Sequence, residues 1–164
     1  MPTRRSMLLS AALAALVALT LSTSVSAVGK PDKTPYEIDT LTFAAGELCD
    51  FGVQLAFPTV RQVIHTTYDR EGNIIREAFT GSLQMRATNL ESGAWIDANV
   101  GGPGPNIYNA DGTITAMYLG NSIPLLVDTS LTRGRQVFLM DADFNLIEVV
   151  KQVGNSRDLC ELLS

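Results

Sequence analysis

His65 is the single histidine in a chain of 164 residues, and imidazole is the side chain best suited to moving protons near neutral pH. A serine hydrolase would use it as the base between a nucleophile on a strained GxSxG turn and a supporting carboxylate. The sequence holds no GxSxG, and His65 stands in "RQVIHTTY" with Val63 and Thr67 on the same face of a strand-like run. It reads as a surface or rim residue, and no catalytic residue is assigned.

Metal and phosphate chemistry fare no better. One histidine and two cysteines leave too few soft ligands for a structural zinc site. "DADFNLIE" sets Asp141, Asp143 and Asn145 at the first, third and fifth places of a calcium loop, but Leu146 stands where glycine belongs and Gln152 where the closing glutamate belongs. The stretch reads as a hairpin turn. "GGPGP", residues 101–105, has neither the lysine nor the following helix of a phosphate cradle and reads as a linker between strands. No cofactor and no metal are expected. A glycosidase needs two carboxyl groups close together in a cleft, and the 17 acids of the chain offer no preferred pair. Trp95, Tyr68, Tyr108 and Tyr118 are aromatic residues with polar handles. Gathered on one rim they would form a ligand site; scattered, they would serve packing.

Cys49 and Cys160 are the two cysteines. In an oxidising compartment an even count predicts a disulfide, tying the first core strand to the last element. No CxxC pair suggests thiol exchange.

The elements that must position these residues follow from period-2 patterning. In "CDFGVQLAF", Cys49, Phe51, Val53, Leu55 and Phe57 alternate with polar or small residues, and "SLQMRAT" repeats the pattern. "YDREGNI", "TNLESGAW", "YNADGTI" and "MDADFNL" are turn clusters between strand-like flanks. "SIPLLV" and "QVFLM" are apolar on both faces, as in buried strands. Only the end looks helical: "NSRDLCELLS" offers Asn155 or Ser156 as N-cap, Asp158 in the first turn, and an apolar side of Leu159, Leu162 and Leu163. The expected fold is all-β: an antiparallel meander of about nine or ten strands, closed as a barrel or folded as a sandwich, with a short C-terminal helix.

Arg4 and Arg5, the apolar run Met7 to Leu21 and the small residues "STSVSA" have the layout of a secretory signal peptide, with cleavage between Ala27 and Val28. A fifteen-residue helix would rise only about 22 Å, short of a bilayer core. The expected organisation is a signal peptide over 1–27, a flexible lead-in over 28–40 with order beginning near Leu41, and one β domain over 41–164. The chain carries 12 basic and 17 acidic residues, net −5; without Arg4 and Arg5 the balance is 10 against 17, or −7. That sign disfavours nucleic acid, whose binders need a basic surface, and no stable membrane anchor is expected.

"FAAGELCDFGV", "HTTYDREGNIIREAFTGSLQMRATNLESG", "NADGTI" and the terminal "DLCELL" together resemble a family of secreted single-domain proteins common in actinobacteria. The resemblance covers residues 41–163, with the two cysteines and "TNLxSG" as its firmest points. It implies secretion, an all-β domain and the disulfide, and no catalytic residues. The resulting expectation is an extracellular, non-catalytic binding or interaction domain whose partner is a protein, a cell-envelope component or a small apolar ligand. The alternatives are a small β-barrel holding an apolar molecule, and a carboxylate-dependent hydrolase.

Overall fold

The computed structural model describes residues 29–125 and 127–164. The expected signal peptide and the Ala27–Val28 cleavage point lie outside the described residues. The described chain is all-β. Its strands are β1 (Asp32–Pro35), β2 (Leu41–Phe43), β3 (Val53–Val60), β4 (Val63–Tyr68), β5 (Ile74–Thr80), β6 (Leu83–Asn89), β7 (Trp95–Asn99), β8 (Gly104–Tyr108), β9 (Ile114–Ser122), β10 (Ser130–Met140) and β11 (Leu146–Asp158), and a helix, α1 (Leu159–Leu163), follows. They form two antiparallel sheets, one ordered β1-β4-β5-β8-β9-β10-β11 and the other β2-β3-β6-β7.

The eleven strands exceed the expected nine or ten because long strands bend. β3 runs into β4 through Arg61 and Gln62, β5 into β6 through Gly81 and Ser82, and β7 into β8 through residues 100–103, each time changing sheet. Hydrogen bonding continues across these corners: Arg61 N–H donates to the Ser82 carbonyl at 2.9 Å and Val100 N–H to the Leu83 carbonyl at 2.8 Å. Gly81, at φ 115°, has no room for a Cβ beside the Arg61 carbonyl oxygen. Counting β1 with β2, β3 with β4, β5 with β6 and β7 with β8, and adding β9, β10 and β11, gives seven long runs in simple meander order.

The line of bends continues through β9–β11. Gly120, Gly134 and Gly154 stand in register across the three strands, and glycine rows let a sheet turn sharply. β10 accordingly serves two cores. Leu131, before Gly134, packs on a cluster built around Val53, Leu55, Met85 and the helix residues Leu159 and Leu163. Phe138 and Met140, beyond it, join Ile114 and Ala116 in the other. Each fully buried Val, Leu, Ile, Phe or Met among them contributes about 1.5–3 kcal/mol relative to exposure.

Three hairpin turns share one geometry. In residues 69–73, 109–113 and 141–145 the first residue's N–H donates to the fifth carbonyl, at 2.9, 2.8 and 3.0 Å. The fourth residue takes a left-handed conformation: Gly72 at φ 88°, Gly112 at 85° and Phe144 at 62°. The Asp141 carboxylate accepts from the backbone N–H groups of Asp143 and Asn145 and from the Asn145 amide, so the "DADFN" carboxylates serve a turn.

Several expectations change. Order does not begin at Leu41: Asp32–Pro35 pairs with β4, a register that Pro35 at the strand's end does not block because an edge strand can spare a donor. Cys49 is not in the first core strand but in the turn before β3. The strand expected at "SIPLLV" ends with β9 at Ser122, and the Pro124 carbonyl accepts from the Val127 and Asp128 N–H groups. The helix N-cap is Asp158, whose Oδ1 accepts from Cys160 N–H at 2.7 Å and Glu161 N–H at 3.1 Å; Asn155 and Ser156 belong to β11. A carboxylate outcompetes both as a cap because it also meets the positive end of the helix. The Cys49–Cys160 disulfide is present, with the Cα atoms 5.5 Å apart, and Asn89 Nδ2 donates to the Leu163 carbonyl, docking α1 on β6.

Candidate functional site

Where the two sheets separate along the line of bends, a cavity of about 440 Å³ opens between them. Leu41, Phe43 and Phe57 from the four-stranded sheet line one side, and Phe79 and Tyr118 from the seven-stranded sheet the other. Ile123 and Leu125, in the turn after β9, complete the apolar wall. Gly102, and Gly104 at the start of β8, line the cavity with backbone alone, and at Gly104 a Cβ would overlap the Met117 carbonyl oxygen.

Four residues with polar side chains line this wall, Tyr36, Gln62, Asn106 and Tyr118. Tyr118 packs edge-on against Phe138 at 5.8 Å, and Tyr36 against Phe79 at 5.9 Å between centroids. Burial raises both phenol pKa values above the ordinary range, and for Tyr118 the proximity of Tyr36 adds to it. Both hydroxyls are therefore neutral donors at any physiological pH. Among the described residues no Asp, Glu, Lys or Arg lines the cavity. A volume of several hundred Å³ with apolar walls and a few polar groups suits a small organic ligand.

The four aromatic residues considered from sequence are not gathered. Tyr118 is in the cavity wall. Trp95, 56 % exposed on β7, lies under the Arg86 guanidinium, 4.2 Å from its ring centroid, while Arg86 pairs with Asp97 through two hydrogen bonds of 2.8 Å. Tyr108 donates to Glu77 Oε2 at 2.6 Å, and burial first, then this bond, drives its pKa well above the ordinary value. Tyr68 is exposed at the end of β4. Strand alternation and sheet switching separate these side chains.

His65 Nε2 lies 2.9 Å from Thr80 Oγ1 on the neighbouring strand. Its partner is a hydroxyl, and no hydrogen bond to a carboxylate among the described residues orients the ring. Among the described residues no three His, Cys, Asp or Glu side chains converge as metal ligands, and no helix is long and apolar enough to cross a membrane.

Sequence reasoning missed Tyr36 and Ile38, placed in the lead-in, and Gln62, Phe79 and Gly104. The available signal was the glycine cluster at 101–104, which marks close backbone approach. No family model matches the chain, and neither does any curated protein or solved structure.

Proposed function

We propose that the protein is a secreted binding domain that holds a small apolar molecule between its two sheets. The observation that carries this reading is the cavity of about 440 Å³ with its predominantly apolar wall. We take the architecture as a folded sandwich: no ladder joins β1 to β11 or β2 to β7 among the described residues, and an open seam gives a ligand its way in. The reading favours binding over hydrolysis because, among the described residues, the cavity wall offers no carboxylate pair. Secretion is supported by the signal-like residues 1–27, by the disulfide and by the resemblance to secreted actinobacterial proteins; N-terminal sequencing of protein from culture medium should begin at Val28. The binding test is the fluorescence of the neutral dye N-phenyl-1-naphthylamine. Its emission should rise on mixing with the protein, and Leu125→Trp, which fills the cavity, should abolish the rise. An unchanged rise in the variant overturns the reading.

A second reading, an interaction domain, is favoured by β11. This free edge of the larger sheet is exposed from Leu146 to Arg157 and shows Ile147, Val149, Val150 and Val153 to solvent. Its partner in this reading is a second copy. The run Lys151–Asp158 has no register shift, and antiparallel pairing about a two-fold axis between Gly154 and Asn155 sets Lys151 opposite Asp158 twice. Sedimentation should show a concentration-dependent dimer that Lys151→Glu weakens; a monomer at every concentration removes this reading.

A further inference from the structure

The cavity wall carries hydrogen-bonding capacity that the protein itself leaves unused. Tyr36, Gln62, Asn106 and Tyr118 all line it, and none of their four side chains hydrogen-bonds to another described residue. They are not sealed away either, since the one buried side-chain polar atom lacking a partner among the described residues is Gln136 Nε2. A polar group facing an apolar void is costly unless something bonds to it, so an occupant that bonds to these groups gains over one that does not. Among the described residues the wall holds no cation to balance an anionic head, and no anion to balance a cationic one. Burying an unpaired charge there would cost several kcal/mol, and the surplus of acids over bases in the chain, 17 against 12, adds repulsion for anions.

We infer that the cavity selects neutral, mostly apolar molecules bearing a single hydrogen-bonding group, such as an alcohol or ketone, held by the Tyr118 and Tyr36 hydroxyls, and rejects the carboxylate of the same skeleton. This rests on the cavity reading proposed above. Both phenols stay protonated, because burial raises their pKa values, and so can donate to a ligand oxygen and accept from a ligand hydroxyl. Their rings are fixed independently of any ligand, one on Phe79 and the other on Phe138. The handles are thus preorganised, which limits the entropic cost of using them.

The test is displacement of bound N-phenyl-1-naphthylamine from the protein by decan-1-ol and by decanoate at neutral pH. Decan-1-ol should displace the dye at a concentration at least about tenfold lower than decanoate, from the cost of burying an unpaired charge. Tyr118→Phe and Tyr36→Phe keep the rings and remove the hydroxyls. Each should weaken decan-1-ol relative to the dye by about two- to tenfold, the worth of one hydrogen bond. If the dye does not bind, the cavity reading itself fails. If the dye binds and decanoate competes as well as decan-1-ol, only the selection for neutral ligands fails. If both phenylalanine variants leave decan-1-ol unchanged, the hydroxyls are not the handles.

Discussion

Gly134 and Gly154 stand directly opposite one another in the β10–β11 ladder, and neither has space for a side chain. A Cβ on Gly134 would overlap the Val153 carbonyl oxygen, and one on Gly154 the Arg133 carbonyl oxygen. Gly112 offers a control, since its φ of 85° is also left-handed but nothing lies within 4 Å of its would-be Cβ. Gly112→Ala should cost about 1–2 kcal/mol through backbone conformation alone. Gly154→Ala, at φ 128°, should cost about 1–3 kcal/mol more through overlap. Urea unfolding of the two variants measures the difference; equal losses would mean that the bend tolerates a methyl group.

The disulfide spans 111 residues and joins the turn before β3 to a helix of five residues. Helices shorter than about 12 residues are marginal alone, so the link and the burial of Leu159 and Leu163 hold α1 in place. Cys160→Ser should lower stability by about 2–5 kcal/mol while leaving the far-ultraviolet strand signal intact. Mass spectrometry without reductant should find the Cys49–Cys160 link and no free thiol. Two alkylated cysteines in the native protein would contradict it.

Acid should loosen the hairpin turns. The side-chain bond from Asn73 holds the Asp69 carboxyl below the ordinary range, with backbone N–H groups adding to it; Asn145 does the same for Asp141, and Thr113 for Asp111. A carboxyl depressed in the folded state contributes stability above its unfolded value, about 3.9, and loses it as pH falls through the lower folded value. Urea midpoints should therefore drop below about pH 4. The double variant Asp69→Asn, Asp141→Asn cannot titrate at these sites and should show a shallower drop. Identical acid profiles for the two proteins would place the effect elsewhere.

Trp95 should report on the surface and not on the cavity. It is absent from the cavity wall and stacked under Arg86. Dye or alcohol binding should leave its emission maximum unchanged, whereas Arg86→Ala should shift it and cost at most about 1 kcal/mol, the scale of an exposed pair. A ligand-induced shift in emission would place Trp95 at the binding site.

Local chemistry made much of this fold readable. The Asp, Asn and Gly residues at 69–73 and 109–113 specify their turns without help from the rest of the chain, and alternation in "SLQMRAT" reports directly which face of β6 is buried. The change of sheet at Gly81 was not readable, because the clash that requires glycine comes from Arg61, which is distant in sequence. The cavity shares that non-local origin. Tyr36 looks like part of a polar leader until its N–H is seen donating to the Gln62 carbonyl, at 2.9 Å. The turn at 141–145 was readable as well, although Phe144 fills the left-handed position that belongs to glycine in the two sister turns; it packs on the Phe138 cluster.

Because the bridge joins residues 49 and 160, nearly all of the folded chain is a closed covalent loop. The exposed turns at 69–73 and 141–145 are natural points of attack for a protease. A single cut at either opens the loop without releasing a piece: both new ends stay on one molecule, seated in sheets whose pairing the cut does not touch. The nicked protein should run as intact on a denaturing gel without reductant and as two fragments with it, and it should keep its cavity. One cut by a protease therefore leaves a single covalently linked molecule.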